Sequence, residues 1–175
     1  MALVVFLRGV NVGGHKAFQP SVLARQLADF DVVNVGAAGT FVVRNTISRA
    51  ALRAELLRKL PFQAEIMICQ SREVIDLVSA GPFREEPSDP QTSRFVSVLA
   101  KRPRGVPPLP ISKPSGAKWQ VKVVGVPGRF ALSLYRRQGR AAIYPNEVVE
   151  KSFGVSATTR NWNTISAICD ILTGG

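Results

Sequence analysis

In residues 1–70 the apolar positions change period along the chain, from a continuous run to helical spacing and back, and that order of changes constrains the fold more than any bulk property. Leu3 to Leu7 reads as a buried strand. Phe18 to Phe30 follows as a helix that starts near Pro20 and Ser21 and places Leu23, Leu27 and Phe30 on one stripe. Asp31 to Val35 and Phe41 to Val43 are two strands joined by Gly36-Ala37-Ala38-Gly39, a stretch suited to a tight turn. Ser48 then caps a helix that runs to Lys59, buries Leu52, Leu56 and Leu60, and stops at Pro61. Glu65 to Cys69 closes the unit as a fourth strand. The order β-α-β-β-α-β is that of a ferredoxin-like split fold.

The rest of the chain reads as a second, smaller α/β unit, which makes the whole an α+β protein of two units, 1–70 and 71–175. Ser71 is the expected N-cap of a helix with Val74, Ile75 and Val78 inward that ends at Gly81-Pro82. Arg94 to Ala100 is a strand. Pro103, Pro107, Pro108, Pro110 and Pro114 crowd residues 102–116 and predict an extended surface loop without regular structure. Trp119 to Val124 and Arg129 to Arg136 alternate around Gly125-Val126-Pro127-Gly128, which predicts a β-hairpin. With Val124 opposite Arg129, Lys122 faces Ala131, Gln120 faces Ser133 and Lys118 faces Tyr135 on one basic side. Trp119, Val121, Val123, Phe130, Leu132 and Leu134 then fill the apolar side. A short helix near Pro145 to Phe153 and a longer one from about Thr158 to Leu172 complete the chain.

The charge is unevenly placed. From Pro90 to Asn146 there are 11 basic residues and no Asp or Glu, which leaves 12 of the 23 basic residues to balance all 12 acidic ones. A block of one sign creates a positive potential that attracts phosphates, nucleic acid or an acidic surface, and its plain alternative is a solvated face. With 46% hydrophobic residues the chain is too apolar for disorder. It has no stretch near the roughly 20 apolar residues that cross a bilayer, so no membrane partner is expected. The run Ala2 to Leu7 meets Arg8 and Gly9 at once, without a basic region before it, which reads as cytoplasmic rather than exported.

Chemistry is constrained by scarcity. Cys69 and Cys169 stand a hundred residues apart with no CxxC, and His15 is the single histidine, so most hydrolytic triads and metal sites are excluded; no cofactor and no metal is expected. Arg8-Gly9-Val10-Asn11-Val12-Gly13-Gly14-His15-Lys16 follows the first strand, where backbone N–H groups of a glycine-rich loop can face an anion. It matches neither a P-loop nor a dinucleotide fingerprint. Near the other end, Gly154-Val155-Ser156-Ala157-Thr158-Thr159-Arg160-Asn161-Trp162-Asn163-Thr164 is read as opening the last helix with Thr158 or Thr159 as N-cap. Trp162, Ile165, Ile168, Cys169 and Leu172 form its buried stripe, Arg160, Asn163 and Thr164 lie opposite, and Asn161 sits at the edge, placed to tie down the Asn11 to Gly14 turn.

Those two segments, LRGVNVGG and GVSATTRNWNTI, resemble the paired signatures of the bacterial family called domain of unknown function 1697, over nearly the whole chain. The resemblance implies an α/β protein with ferredoxin-like elements and brings no activity with it. Members typically carry a stretch resembling Tyr-Ile-Gln-Ser-Gly-Asn-Val after the first helix. The matching positions are Val35-Gly36-Ala37-Ala38-Gly39-Thr40-Phe41, with Ala37, Ala38 and Thr40 in place of Gln, Ser and Asn.

Three functions fit this pattern. In the first, Lys118, Lys122, Arg129, Tyr135 and Arg137 of the basic hairpin bind nucleic acid or another polyanion. In the second, Arg8, Asn11, Gly13, Gly14, His15, Lys16, Arg160 and Asn163 bind a small anionic ligand, with His15 as the side chain suited to proton transfer near neutral pH. In the third, both motifs serve packing, with Trp162 as the anchor of a rigid polar junction.

Overall fold

The computed structural model describes residues 1–11, 14, 16–139 and 141–174. By internal contact the chain forms two compact units, Met1–Ser79 with Asn163–Gly175, and Ala80–Trp162. The expected boundary at residue 70 differs from this because the helix after the fourth strand and most of the last helix group with the N-terminal strands. The architecture is mixed α+β, with two antiparallel sheets and five α-helices among the described residues.

The first unit contains β1 (Leu3–Arg8), α1 (Pro20–Gln26), a 3-10 turn (Ala28–Phe30), β2 (Val32–Asn34), β3 (Thr40–Val43), α2 (Arg49–Lys59), β4 (Glu65–Gln70) and α3 (Ser71–Ser79). Its sheet runs β2-β3-β1-β4. β1 lies between two partners, and Leu3, Val5 and Leu7 share one face with Phe41, Val43, Ile66 and Ile68. These residues meet Leu23, Leu27, Leu52 and Leu56 of the helical layer in one apolar cluster. The alternate residues Val4, Phe6, Val42, Met67 and Cys69 are buried as well. Burial on both faces is why β1 is apolar without alternation.

Local chemistry sets the element ends. Pro20 occupies the first turn of α1, where its missing N–H costs nothing. Ser48 Oγ accepts the Ala51 amide at 3.1 Å and starts α2, as the sequence predicts. Ser71 is already helical in α3, and the reciprocal bond comes from Glu73 Oε2, which accepts the Gln70 amide at 2.7 Å.

The second unit contains β5 (Ser93–Leu99), β6 (Ile111–Lys113), β7 (Val121–Gly125), β8 (Phe130–Tyr135), α4 (Pro145–Phe153) and β9 (Ala157–Asn161), with sheet order β6-β7-β8-β5-β9. α4 lays Val148, Val149 and Phe153 against Leu99, Val121, Val123 and Ala131. Three expectations are corrected here. The proline-rich connection holds a short strand, β6, which pairs with β7 as an edge, where prolines on either side disturb no inner ladder.

The hairpin register also differs. Val121 pairs with Tyr135, Lys122 with Leu134 and Val123 with Ser133, and an irregularity before Gly125 shifts the ladder. Tyr135, Ser133 and Ala131 therefore face α4 beside Val121 and Val123, while Lys122 stands on the opposite face with Leu134. Lys122 and Tyr135 do not share a side. The expected register assumed one buried face, but β8 is a central strand whose residues Phe130 to Leu134 are all buried, so its alternation carries no facial information.

The third correction concerns the C-terminal motif. Thr158 to Asn161 belongs to strand β9, and α5 (Trp162–Thr173) begins after it. β-Branched Thr158 and Thr159 pair with Val98 and Ser97, an arrangement that fits a pleated edge better than a helix start. Among the described residues no helix is long and apolar enough to cross a membrane.

Candidate functional site

The loop after β1 is built around Asn11. Its φ of 54° lies in the left-handed region, its Nδ2 donates to the Ala37 carbonyl at 3.0 Å, and its Oδ1 accepts the Phe18 amide at 2.9 Å. The Asn11 amide also donates to the Lys16 carbonyl at 3.3 Å, which closes the loop on itself. Asn161, the residue that the sequence placed to tie down this turn, is exposed at the end of β9.

Arg8 leaves β1 opposite Glu65 and holds its Nε 3.8 Å from the Glu65 carboxylate, in line with their ladder positions. Gly14 has a positive φ of 79° and open space around it, the arrangement a turn needs. Lys16 holds its ammonium 6.0 Å from the Phe62 ring centroid. Gly13 and His15 lie outside the described residues. Asn163 is exposed in the first turn of α5.

Arg160 belongs to the second unit and not to a helix face. It is 6% exposed in β9, where its Nη1 donates to Thr158 Oγ1 at 2.7 Å and to the Thr159 carbonyl at 3.0 Å. Burial of the guanidinium pushes its pKa down to about 10. The helix of this motif starts at Trp162, two residues beyond Arg160, rather than at Thr158 or Thr159.

The basic residues of the hairpin divide into structural and exposed sets. Arg136 lies with its guanidinium carbon 3.9 Å from the Trp119 ring centroid, donates from Nε to the Trp119 carbonyl at 2.8 Å, and donates from Nη2 to Ala117 O. Lys122 holds its ammonium 4.6 Å from the same ring. Arg129 donates from Nε to the Leu99 carbonyl at 2.9 Å, which ties the turn of the hairpin to the end of β5. Lys118 and Arg137 are exposed on either side of this group.

Tyr135 is packed between two rings. Phe95 meets it edge-on at 5.9 Å, and Tyr144 stacks on it at 6.5 Å with an interplanar angle of 17°. Tyr144 is 59% exposed, so it is the ring of this cluster that water reaches. Sequence reasoning placed Tyr135 there and passed over Trp119, Arg136 and Tyr144. The signal available was an aromatic residue beside a cation at the open end of both hairpin strands, at Lys118-Trp119 and at Tyr135-Arg136, but Tyr144 comes near only through the fold.

Two further polar devices position this edge. Gln120 is 7% exposed; its Nε2 donates to the Ala141 carbonyl at 2.9 Å and its Oε1 accepts the Ile143 amide at 3.0 Å, so it holds the segment that carries Tyr144. Behind the sheet, the Ser97 and Thr159 hydroxyls lie 2.6 Å apart, Thr159 donates to Asn146 Oδ1 at 2.8 Å, and Asn146 donates to Glu150 Oε1 at 2.9 Å. Among the described residues no three His, Cys, Asp or Glu side chains group as metal ligands.

A family model described as a protein of unknown function, DUF1697, matches residues 1–125. The matched span includes the N-terminal motif and stops before the C-terminal one. A solved structure, that of the conserved bacterial protein SP0830 from Streptococcus pneumoniae, is similar with a TM-score of 0.58 at 15% identity, and the match covers 98% of each chain. At that identity the likeness concerns the fold. No curated protein matches the chain.

Proposed function

We propose, for a chain that belongs to the DUF1697 family of proteins of unknown function, that the second unit binds a polyanion, with single-stranded nucleic acid the best chemical fit. The carrying observation is the exposed ring of Tyr144, stacked on Tyr135 at the end of the β7–β8 pair where the next residue, Arg136, lies over Trp119. A ring open to water offers a stacking platform for a base, and neighbouring cations neutralise backbone phosphates. Lys118 and Arg137 are exposed cations of the hairpin placed to reach phosphate, whereas Arg129 and Arg136 each commit a donor to backbone carbonyls. The acid-free span from Pro90 to Asn146 falls wholly inside this unit, so no carboxylate of that span opposes an approaching anion.

The hairpin reading is kept in this altered form, with Tyr144 in place of Tyr135 as the stacking ring. The ferredoxin-like reading of the first unit is likewise retained as an inference, supported by the order β2-β3-β1-β4 with antiparallel neighbours.

The test is binding of labelled single-stranded RNA, single-stranded DNA and duplex DNA across a salt series. Removing Lys118 and Arg137 together by alanine substitution is expected to flatten the slope of log affinity against log salt by about 1.4 for a single strand. Tyr144→Ala is expected to weaken binding by about 1–3 kcal/mol with the slope unchanged. An absence of binding at physiological salt, or a slope indifferent to the double substitution, overturns the reading.

A further inference from the structure

The first unit carries a cleft that the polyanion reading does not use. Phe18, Val22, Leu23, Leu60 and Pro61 wall an open cavity of about 300 Å³ between the start of α1 and the end of α2. That volume is at the lower end of small-molecule sites. The charged side chain on this wall is Lys59, half-buried in the last turn of α2.

A wider groove of about 560 Å³ adjoins the cleft across Leu60 and Pro61, and Phe62 lines it. Phe62 packs edge-on against Phe18 at 5.7 Å, with the Lys16 ammonium above it. No Asp or Glu lines either wall among the described residues. Glu55, one turn before Lys59, is bonded to Arg58 at 2.8 Å, and its carboxyl is held below the ordinary value by Arg58 first and by Lys59 to a lesser degree. An apolar wall is thus bordered by ammonium groups with no lining carboxylate.

That combination selects the class of guest. A purely apolar molecule would cover the wall but take water from Lys59 without replacing it. A cation would meet like charge. A short apolar chain ending in a carboxylate covers Phe18, Val22 and Leu60 and gives Lys59 a charge-assisted partner. We infer that the cleft between α1 and α2 is a binding site for a medium-chain acyl carboxylate, its chain along Phe18, Val22 and Leu60 and its carboxylate at Lys59.

The test uses the full chain, followed by amide NMR during titration with octanoate, octanol and octyltrimethylammonium. Octanoate is expected to give saturable shifts centred on Val22 and Lys59, with octanol weaker and the cation without effect. Lys59→Met is expected to weaken octanoate by about 2- to 5-fold and leave octanol unchanged. Val22→Trp fills the cleft and removes both responses, with the dispersion of the remaining spectrum reporting that the variant is folded. Shifts that do not saturate, that map away from the cleft, or that are equal in the native chain and Lys59→Met overturn the proposal.

Discussion

The Asn11 side chain joins two loops of the first unit by donating to the Ala37 carbonyl at 3.0 Å. Its other end accepts the Phe18 amide, so one residue fixes both the entry to α1 and the turn between β2 and β3. The acceptor at position 37 is backbone, and the join therefore does not depend on which side chain stands there. Alanine at this position in place of the glutamine of the family pattern leaves the tether intact.

Replacing Asn11 tests that tether. Asn11→Ala loses both bonds and puts an alanine at a positive φ, for an expected loss of about 2 kcal/mol in urea unfolding. Asn11→Gly relieves the backbone cost and is expected to lose about 1 kcal/mol. Equal losses for the two would show that the left-handed conformation contributes nothing.

Two glycines of the same turn separate backbone strain from close approach. A Cβ on Gly39 would stand 2.8 Å from Val10 Cγ2 and 2.9 Å from Leu7 Cβ, whereas one on Gly36 would meet nothing within 4 Å. Both have positive φ, 82° and 74°. Gly36→Ala is expected to cost about 1 kcal/mol, and Gly39→Ala about 1–3 kcal/mol more, by chemical denaturation. Similar values for both would mean that β1 and the turn move apart freely.

Ser133 is buried against the α4 side of the sheet, and its hydroxyl has no hydrogen-bond partner among the described residues. Ser133→Ala removes an unsatisfied group and is expected to be neutral or stabilising by up to about 1 kcal/mol. Ser97, two register positions along and hydrogen-bonded to Thr159, is the control. Ser97→Ala is expected to destabilise by about 1 kcal/mol, and a loss at Ser133 of the same size would place a partner at that hydroxyl.

The two thiols differ in access. Cys69 is fully buried and Cys169 is partly exposed, with burial first and the Asp170 charge second pushing the Cys169 thiol above its ordinary 9.0. A thiol reagent is expected to label Cys169 slowly, with a rate that rises only at more alkaline pH than for a free cysteine, and to reach Cys69 after unfolding. The folded thiol keeps its proton to higher pH than the unfolded one, so this group lowers stability as pH climbs through the unfolded value towards the folded one. Asp170→Asn is expected to shift the labelling profile toward lower pH, and an unmoved profile would show that the neighbouring charge has no influence.

What could be read from the sequence followed the range of the interactions involved. Ser48, Pro20 and Pro61 act on their own helices within a few residues, and α1 starts and α2 starts and ends where they predict, whereas the helix expected to run to Phe30 stops at Gln26 and a 3-10 turn, Ala28–Phe30, follows. The β8 strand misled because the rule that apolar side chains face inward has no discriminating power when both faces are buried. Thr158 to Asn161 misled because a helical wheel can be drawn through any apolar spacing, while the pairing of Thr159 with Ser97 spans 62 residues and leaves no local mark. The candidate site shows the same division. Arg8 beside Glu65 follows from strand pairing, but the buried setting of Arg160 and the reach of Gln120 to Ala141 and Ile143 are products of the tertiary fold.

The first unit is assembled from both sides of the second, since Asn163–Gly175 groups with Met1–Ser79. During vectorial synthesis its four strands leave the ribosome well before α5 exists. The sheet then has all its strands, and the unit waits for α5 while residues 80–162 are made. Those intervening residues complete their own sheet at β9, immediately before α5 begins. Grouping of α5 with the first unit therefore follows synthesis of the whole second unit, and a ribosome that stalls within α4 holds a second sheet still lacking β9.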